Sequence, residues 1–325
     1  MSSREEELRK AVSQESKAFE SFYLWLQKQM PPAFFEEIGE ANLLLVTHNL
    51  MSFHLQEYFS VIHLKDSAIV LCLDSLDADL AILQTFSLYG IRYYRTFVSK
   101  EPPPFPGVKE RLRIGLLLFT EGNEKPLPDE RRKEILSQLT GKIPSVTPKE
   151  LETLLSEISP RFLRSMPTER LTSAIEMYYL AKPRDICQYQ VRYNEDWKEK
   201  ESPSMQIVLA WRNVPKYQFL QRLAETILRH NLALQKMVAT YVKAYSTESV
   251  LILSLGLHGK HNKAAWEEAD IDDFLQELLT MKYFFPNEKI QKTFVATHLI
   301  RTNMANFLEA MIAFVHQILL QADPH

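Results

Sequence analysis

Apolar positions change their spacing several times along this chain, and each change marks a new element. Leu8, Val12, Phe19, Phe22, Tyr23 and Leu26 recur at helical spacing with charges between them, and Pro31-Pro32 ends that helix. A second helical stretch runs through Phe34, Phe35, Ile38, Leu43, Leu44 and Val46. Residues 67–74 (SAIVLCLD) form a continuous apolar run of strand length and β-branched content. Asp74-Ser75-Leu76-Asp77 reads as a turn, with Asp77 placed to cap a helix running to about Tyr89 and Gly90 placed to stop it. Residues 91–98 (IRYYRTFV) and 111–120 (RLRIGLLLFT) read as strands around a proline-rich loop at 102–107, and 129–139 reads as a helix ended by Gly141. The unit is β-α-β-β-α.

Thr147-Pro148-Lys149-Glu150 is a capping-box pattern with proline at the first helical position. It opens a helical linker over 148–158 and 168–181 that Pro183 ends. The first order then recurs. Strands are expected at 187–193 and 206–211, a helix at 216–230 with Asn231 as its left-handed terminator, and a hairpin of 234–245 and 249–257 around Ser246-Thr247-Glu248. A helix at 266–281 follows, with Glu267, Glu268, Asp270, Asp272 and Asp273 near its positive end. The second unit is again β-α-β-β-α, with 187–193 as a candidate extra strand, so the chain reads as a tandem repeat of a split β-α-β fold. Met304, Phe307, Leu308, Met311, Ile312, Val315, Ile318 and Leu319 then keep an i, i+3, i+4, i+7 stripe that must bury against something, either its own domain or the next domain of a longer protein.

Length adds that 325 residues exceed one ordinary domain. The expected division is a helical segment at 1–62, a first α+β module at 63–145, a helical linker at 146–183, a second module at 184–285, and helices at 286–325. With 38 basic against 41 acidic side chains and no basic run, a nucleic-acid partner is not expected. Apolar runs are strand-sized, too short for a bilayer, and the acidic, polar residues 1–10 do not read as a signal peptide. Cys72 and Cys187, each in an apolar strand, read as buried free thiols of a cytoplasmic protein. Only eight glycines occur, and no G-x-G-x-x-G or G-x-x-x-x-G-K-[ST] can be written from them, so no cofactor is expected within this chain.

Candidate chemistry is sparse, and no catalytic residue is assigned. His258 and His261 lack further ligands at metal spacing, so no metal site is expected. His48 and His54 read as packing residues. Arg92, Tyr94, Arg111 and Arg113 alternate on paired strands and read as one solvated sheet face. The two strand-to-helix turns remain as effector-site candidates. Asp74, Ser75 and Asp77 in one, and Asn213, Val214 and Pro215 in the other, sit where helix N–H groups are exposed. Such a turn can receive an amino acid's carboxylate while Asp or Asn takes its ammonium; the competing reading is simple capping and turn formation.

Several segments carry a family resemblance: 30–35 (MPPAFF), 69–75 (IVLCLDS), 97–100 (FVSK) with 102–108 (PPPFPGV), 192–197 (RYNEDW), 211–213 (WRN), 256–259 (GLHG) and 282–284 (KYF). In these the chain resembles the N-terminal region of the large NAD-dependent glutamate dehydrogenases, over nearly its whole length. The resemblance implies an α+β fold of two ACT-like (split βαβ, ferredoxin-like) modules with antiparallel sheets, joined and flanked by helices. It also implies a regulatory, non-catalytic region ahead of a downstream catalytic domain that would hold NAD and oxidise L-glutamate to 2-oxoglutarate and ammonia. A homo-oligomer and an amino-acid effector are the further implied partners. The turns depart from the ACT pattern of acid, proline and glycine: Asn213-Val214-Pro215 lacks the glycine and the Asp74 turn lacks both. A stand-alone amino-acid sensor, and last an enzyme with a site between the modules, are the rival readings.

Overall fold

The computed structural model describes residues 3–119, 126–143, 146–199, 202–215, 219–243, 246–261, 263–282, 293–294, 299–300 and 302–322. Helices α1 (Ser3–Gln29), α2 (Pro32–Ile38) and α3 (Glu40–Met51) lead into β1 (Phe59–His63) and β2 (Ser67–Leu73). Then come α4 (Ala78–Thr85), β3 (Ile91–Val98), β4 (Leu112–Phe119) and α5 (Asp129–Leu139). The linker is α6 (Pro148–Glu157), α7 (Pro160–Ser165) and α8 (Thr168–Ala181). The second half is β5 (Gln188–Tyr193), β6 (Met205–Arg212), α9 (Phe219–Arg229), β7 (Leu232–Val242), β8 (Val250–Gly259), α10 (Ala265–Glu268) and α11 (Ile271–Thr280), followed by α12 (Thr302–Ala322).

The eight strands form a single antiparallel sheet in the order β1-β2-β4-β3-β7-β8-β6-β5. That order is a palindrome. Read inward from each edge, the halves give β1-β2-β4-β3 and β5-β6-β8-β7, so each half presents its third strand to the other. The repeat of element order is therefore present, but as one α+β sheet rather than two. Each half also begins with an extra strand. The second, β5, matches the candidate at 187–193; the first, β1, was not expected, because FSVIH is short and broken by Ser60 and His63. It straddles the expected boundary at residue 62.

Alternation along the strands feeds two separate cores. Ile69, Leu71, Tyr93, Phe97, Ile114, Val208 and Ile252 face the side covered by α1–α3 and α5–α8. Val70, Cys72, Tyr94, Leu117, Ile207, Trp211 and Leu253 face α4, α9 and α11. Since both faces are covered, central strands read as continuous hydrophobic runs rather than alternating ones. The second half packs α9 and α11 together on one face, tied by buried Glu277, which accepts from the Thr226 hydroxyl at 3.2 Å and meets His230 at 2.8 Å and Arg229. The first half does not copy this: α5 joins α6 and α8 on the opposite face from α4.

Several expected boundaries shift. The stretch 34–46 breaks into α2 and α3 at Gly39, whose φ of 74° lies in the left-handed region. Helix α4 stops at Thr85, short of Gly90, because Phe86 turns inward against Tyr89 and Phe119. The 266–281 helix splits at Asp270, whose side chain caps α11 by accepting from the Asp273 amide. Helix α7, unforeseen, starts on a Ser159 cap and Pro160. The Thr147–Glu150 capping box forms both of its reciprocal bonds. Asn231 is left-handed at φ 57°. Helix α12 buries Ala305 near α11, yet Met311 to Leu319 are all exposed. Among the described residues its apolar stripe is uncovered, so of the two expected ways to bury it, packing on its own domain is not the one seen. Thr120, Lys216, Tyr245, Tyr283 and Phe284, at the ends of expected segments, lie outside the described residues.

Candidate functional site at the junction of the halves

The halves meet at three register pairs, Tyr93↔Val238, Tyr94↔Met237 and Arg95↔Lys236. So short a ladder leaves the junction dependent on its side chains, and these differ sharply between the two faces.

On the α4 face the junction is closed by a charge-balanced network. Asp74, just past β2, accepts from Arg113 Nε at 2.9 Å and Nη2 at 2.7 Å, and from Arg111 Nη2 at 2.8 Å. Asp79, in the first turn of α4, accepts from the Tyr94 hydroxyl at 2.7 Å and from Arg113 Nη1 at 2.8 Å. Its other oxygen takes the Leu234 amide at 3.2 Å. That amide needs a partner because β7 shifts register against β8 between Leu234 and Lys236. Thr96 completes the bridge by donating to the Leu234 carbonyl at 3.3 Å. Burial alone would pull the Arg113 guanidinium down, but Asp79 and Asp74 hold it well above its ordinary range. Burial and Asp79 together raise the Tyr94 hydroxyl. Gly115 lets Ile82 of α4 approach this part of the sheet, since a Cβ there would lie 3.2 Å from Ile82 Cδ1.

On the α2–α7 face the charges do not balance. Glu37 of α2 accepts from the Tyr93 hydroxyl at 2.9 Å and Arg95 Nη1 at 2.8 Å, and pairs with Arg161 of α7. Burial raises its carboxyl, yet Arg161, Tyr93 and Arg95 hold it below the usual range. Arg161 also lies over the Tyr93 ring, 4.4 Å from its centroid. Lys236 of β7 stands directly across from Arg95 and donates to the Ser165 carbonyl at 3.2 Å. Burial, with Arg95 next, pushes its ammonium down to about 8. Arg170 of α8 donates to the Ser254 hydroxyl at 2.8 Å, and burial followed by Arg192 lowers it to about 10. Among the described residues neither Lys236 nor Arg170 has a carboxylate at salt-bridge distance.

The expected effector residues fall as follows. Asp74 belongs to the balanced network, with its carboxylate engaged by two arginines. Ser75 donates to Asp77 at 2.7 Å in an exposed turn, and Asp77 precedes α4 without bonding a helix amide. In the second turn Asn213 is left-handed at φ 54°, Val214 is buried in the core, and the Pro215 carbonyl accepts from Tyr241 at 3.3 Å. The structure brings neither turn to the imbalanced cluster. The solvated face expected for Arg92, Tyr94, Arg111 and Arg113 is not solvated at Tyr94 and Arg113, which are buried under α4. Paired strands with arginine and tyrosine at alternate positions can equally line a polar seam inside the protein.

Elsewhere the chemistry is quiet. Cys72 and Cys187 are free and buried, and burial pushes both thiols up to about 12, away from reactivity. No group of His, Cys, Asp and Glu among the described residues is arranged to hold a metal. His48 packs on Phe19 and His54 on Phe105. No helix among the described residues is long and apolar enough to cross a membrane. Sequence reasoning missed Glu37, Asp79, Arg161, Arg170 and Lys236. One signal was available: a lysine inside the apolar run LALQKMVATYV needs a buried reason. Comparison with protein-family models and with curated proteins returns no match.

Proposed function

We propose that this chain is the regulatory and assembly region of a large NAD-dependent glutamate dehydrogenase, built from two ACT-like modules and without catalytic chemistry of its own. The observation that carries the reading is the palindromic sheet, in which two halves of like element order join at their inner edges. In it, polar side chains from both halves meet at the junction, as between Asp79 and the Leu234 amide and between Thr96 and the Leu234 carbonyl. The resembling segments support it: 69–75 is β2 with its turn, 97–100 closes β3, and 211–213 and 256–259 close β6 and β8. Within 97–100, buried Ser99 receives the Leu112 amide at 2.9 Å and donates to the Glu101 carbonyl at 2.6 Å.

Assembly has surfaces to use. The inner strand edges are consumed within the chain, leaving β1 and β5 as outer edges. Helix α12 adds exposed Phe307, Ile312, Phe314 and Leu319 on an otherwise nearly uncharged stretch. The deciding measurements are a glutamate and NAD turnover assay on the purified chain, and sedimentation over a range of concentrations. No turnover and a mass above the monomer are expected. Turnover by this chain would overturn the non-catalytic part, and a concentration-independent monomer the assembly part. Calorimetric titration with a panel of amino acids tests the effector role: saturable binding weakened by Asn213→Ala would place it at the second turn.

A further inference from the structure

Four cations lie on the α2–α7 face of the junction: Arg95 and Arg161, both paired with Glu37, and Lys236 and Arg170, which donate instead to the Ser165 carbonyl and the Ser254 hydroxyl. Two features make this costly for the protein by itself. Arg95 and Lys236 are register partners on adjacent strands, and like charges placed directly opposite in a sheet repel. The cluster is also partly withdrawn from water, so the repulsion is weakly screened: Arg95 and Arg161 side chains keep only 24% and 27% of their exposure. Arg161 and Lys236 both lie over the Tyr93 ring, 4.4 Å and 5.9 Å from its centroid, and Ser254, which Arg170 contacts, is the register partner of Val238, two residues along β7 from Lys236 on the same face. The opposite face of the same junction pairs two arginines with two aspartates, so the fold had the means to balance charge there.

We propose that Arg95, Arg161, Arg170 and Lys236 form a binding site for a small dianion, of the dicarboxylate or phosphoryl class, that bridges the two halves of the sheet. The ligand supplies the negative charge that Glu37 alone does not. Arginine forks receive carboxylate or phosphoryl oxygens in pairs, while the lysine contributes a point charge. Because Arg95 belongs to β3 and Lys236 to β7, bound anion ties the halves across a ladder of three register pairs. Arg170 brings α8 into the same contact, and Arg161 brings α7. This goes beyond the assembly role and lies apart from the Asp74 and Asn213 turns.

The test is calorimetric and thermal-shift titration of the whole chain in low-salt, phosphate-free buffer near pH 7. The probes are inorganic phosphate, succinate and 2-oxoglutarate, with sodium chloride at matched ionic strength as the control. Saturable binding and a rise in Tm are expected with at least one dianion and not with chloride. Phosphate against the two dicarboxylates identifies the class. Lys236→Met should weaken binding by about ten-fold or more while leaving the ligand-free Tm unchanged or higher, since it removes a repelled charge. Arg170→Gln should weaken binding by several-fold and serves as the deciding variant if Lys236→Met does not fold. Lys236→Arg should bind. A response to chloride equal to that of every dianion would overturn the proposal, and so would affinities unchanged in both variants. A purely structural Lys236 would reveal itself as a lower Tm in Lys236→Met with undiminished affinity. The Asn213→Ala variant should bind the dianion normally, so failure here and failure of the amino-acid effector reading are separable.

Discussion

The two faces of one junction solve the same mechanical problem with opposite electrostatics. On the α4 face, Asp74 and Asp79 meet Arg111 and Arg113, every carboxylate oxygen in the bridge has a donor, and the buried Leu234 amide beside the register shift is satisfied. On the α2–α7 face, one glutamate answers several cations. A buried polar network holds a unique geometry when all its members are satisfied, and one with surplus charge is stable only at a cost. The first face is therefore architecture. The second has the character of a site.

The comparison breaks most directly at Asp79. Asp79→Ala leaves buried Arg113, the Tyr94 hydroxyl and the Leu234 amide short of a partner, and should cost about 3–5 kcal/mol in urea unfolding at neutral pH. A loss below about 1 kcal/mol would mean that the α4 face does not hold the junction. Glu37→Gln should come next, costing about 1.5–3 kcal/mol by leaving Arg95 and Arg161 without their acid. Added salt should recover part of that loss, since what remains there is repulsion between like charges, and little of the Asp79 loss, which is mainly hydrogen bonds left unmade. Equal salt dependence would erase the distinction between the faces.

A smaller effect sharpens it. Lys236 titrates at about 8 in the folded chain and near 10.5 when unfolded. Between those values the unfolded state holds more protons, so this lysine makes stability rise with pH across the window. Its penalty is fully present below about pH 8 and is gone above 10.5. Lys236→Met should flatten that segment of a stability-against-pH curve measured in urea; an unchanged slope would show that Lys236 is not electrostatically penalised. Smallest of all, Thr147→Ala removes the cap of α6, far from the junction, and should lower Tm by roughly 2 °C with the same shift in low and high salt.

Much of the architecture was legible before the structure. Strand β3, helix α5, the Thr147 capping box and the left-handed Asn231 stood where period and local chemistry put them, because each is decided by residues within a few positions of one another. The repeated β-α-β-β-α order was legible for the same reason. Strand β1 was not, since five residues with two polar members carry too little pattern, and its identity comes from pairing with β2. Nor were the sites. The turn residues Asp74 to Asp77 and Asn213 to Pro215 stand out by composition, but Asp74 is drawn into ion pairs with residues 37 and 39 positions away.

By itself, the sequence determined most of the elements, though not β1 or α7, the two-fold recurrence of their order, and the absence of any clustered glycine motif for phosphates. Hydrophobic period and capping act within a turn or two of chain, so they survive in one dimension. Only the tertiary structure decided that the halves share one sheet, that α5 crosses to the face opposite α4, and that Glu37, Arg95, Arg161, Arg170 and Lys236 come together from five separate elements. Charge imbalance is a property of neighbours in space, and here those neighbours lie up to 199 positions apart, from Glu37 to Lys236.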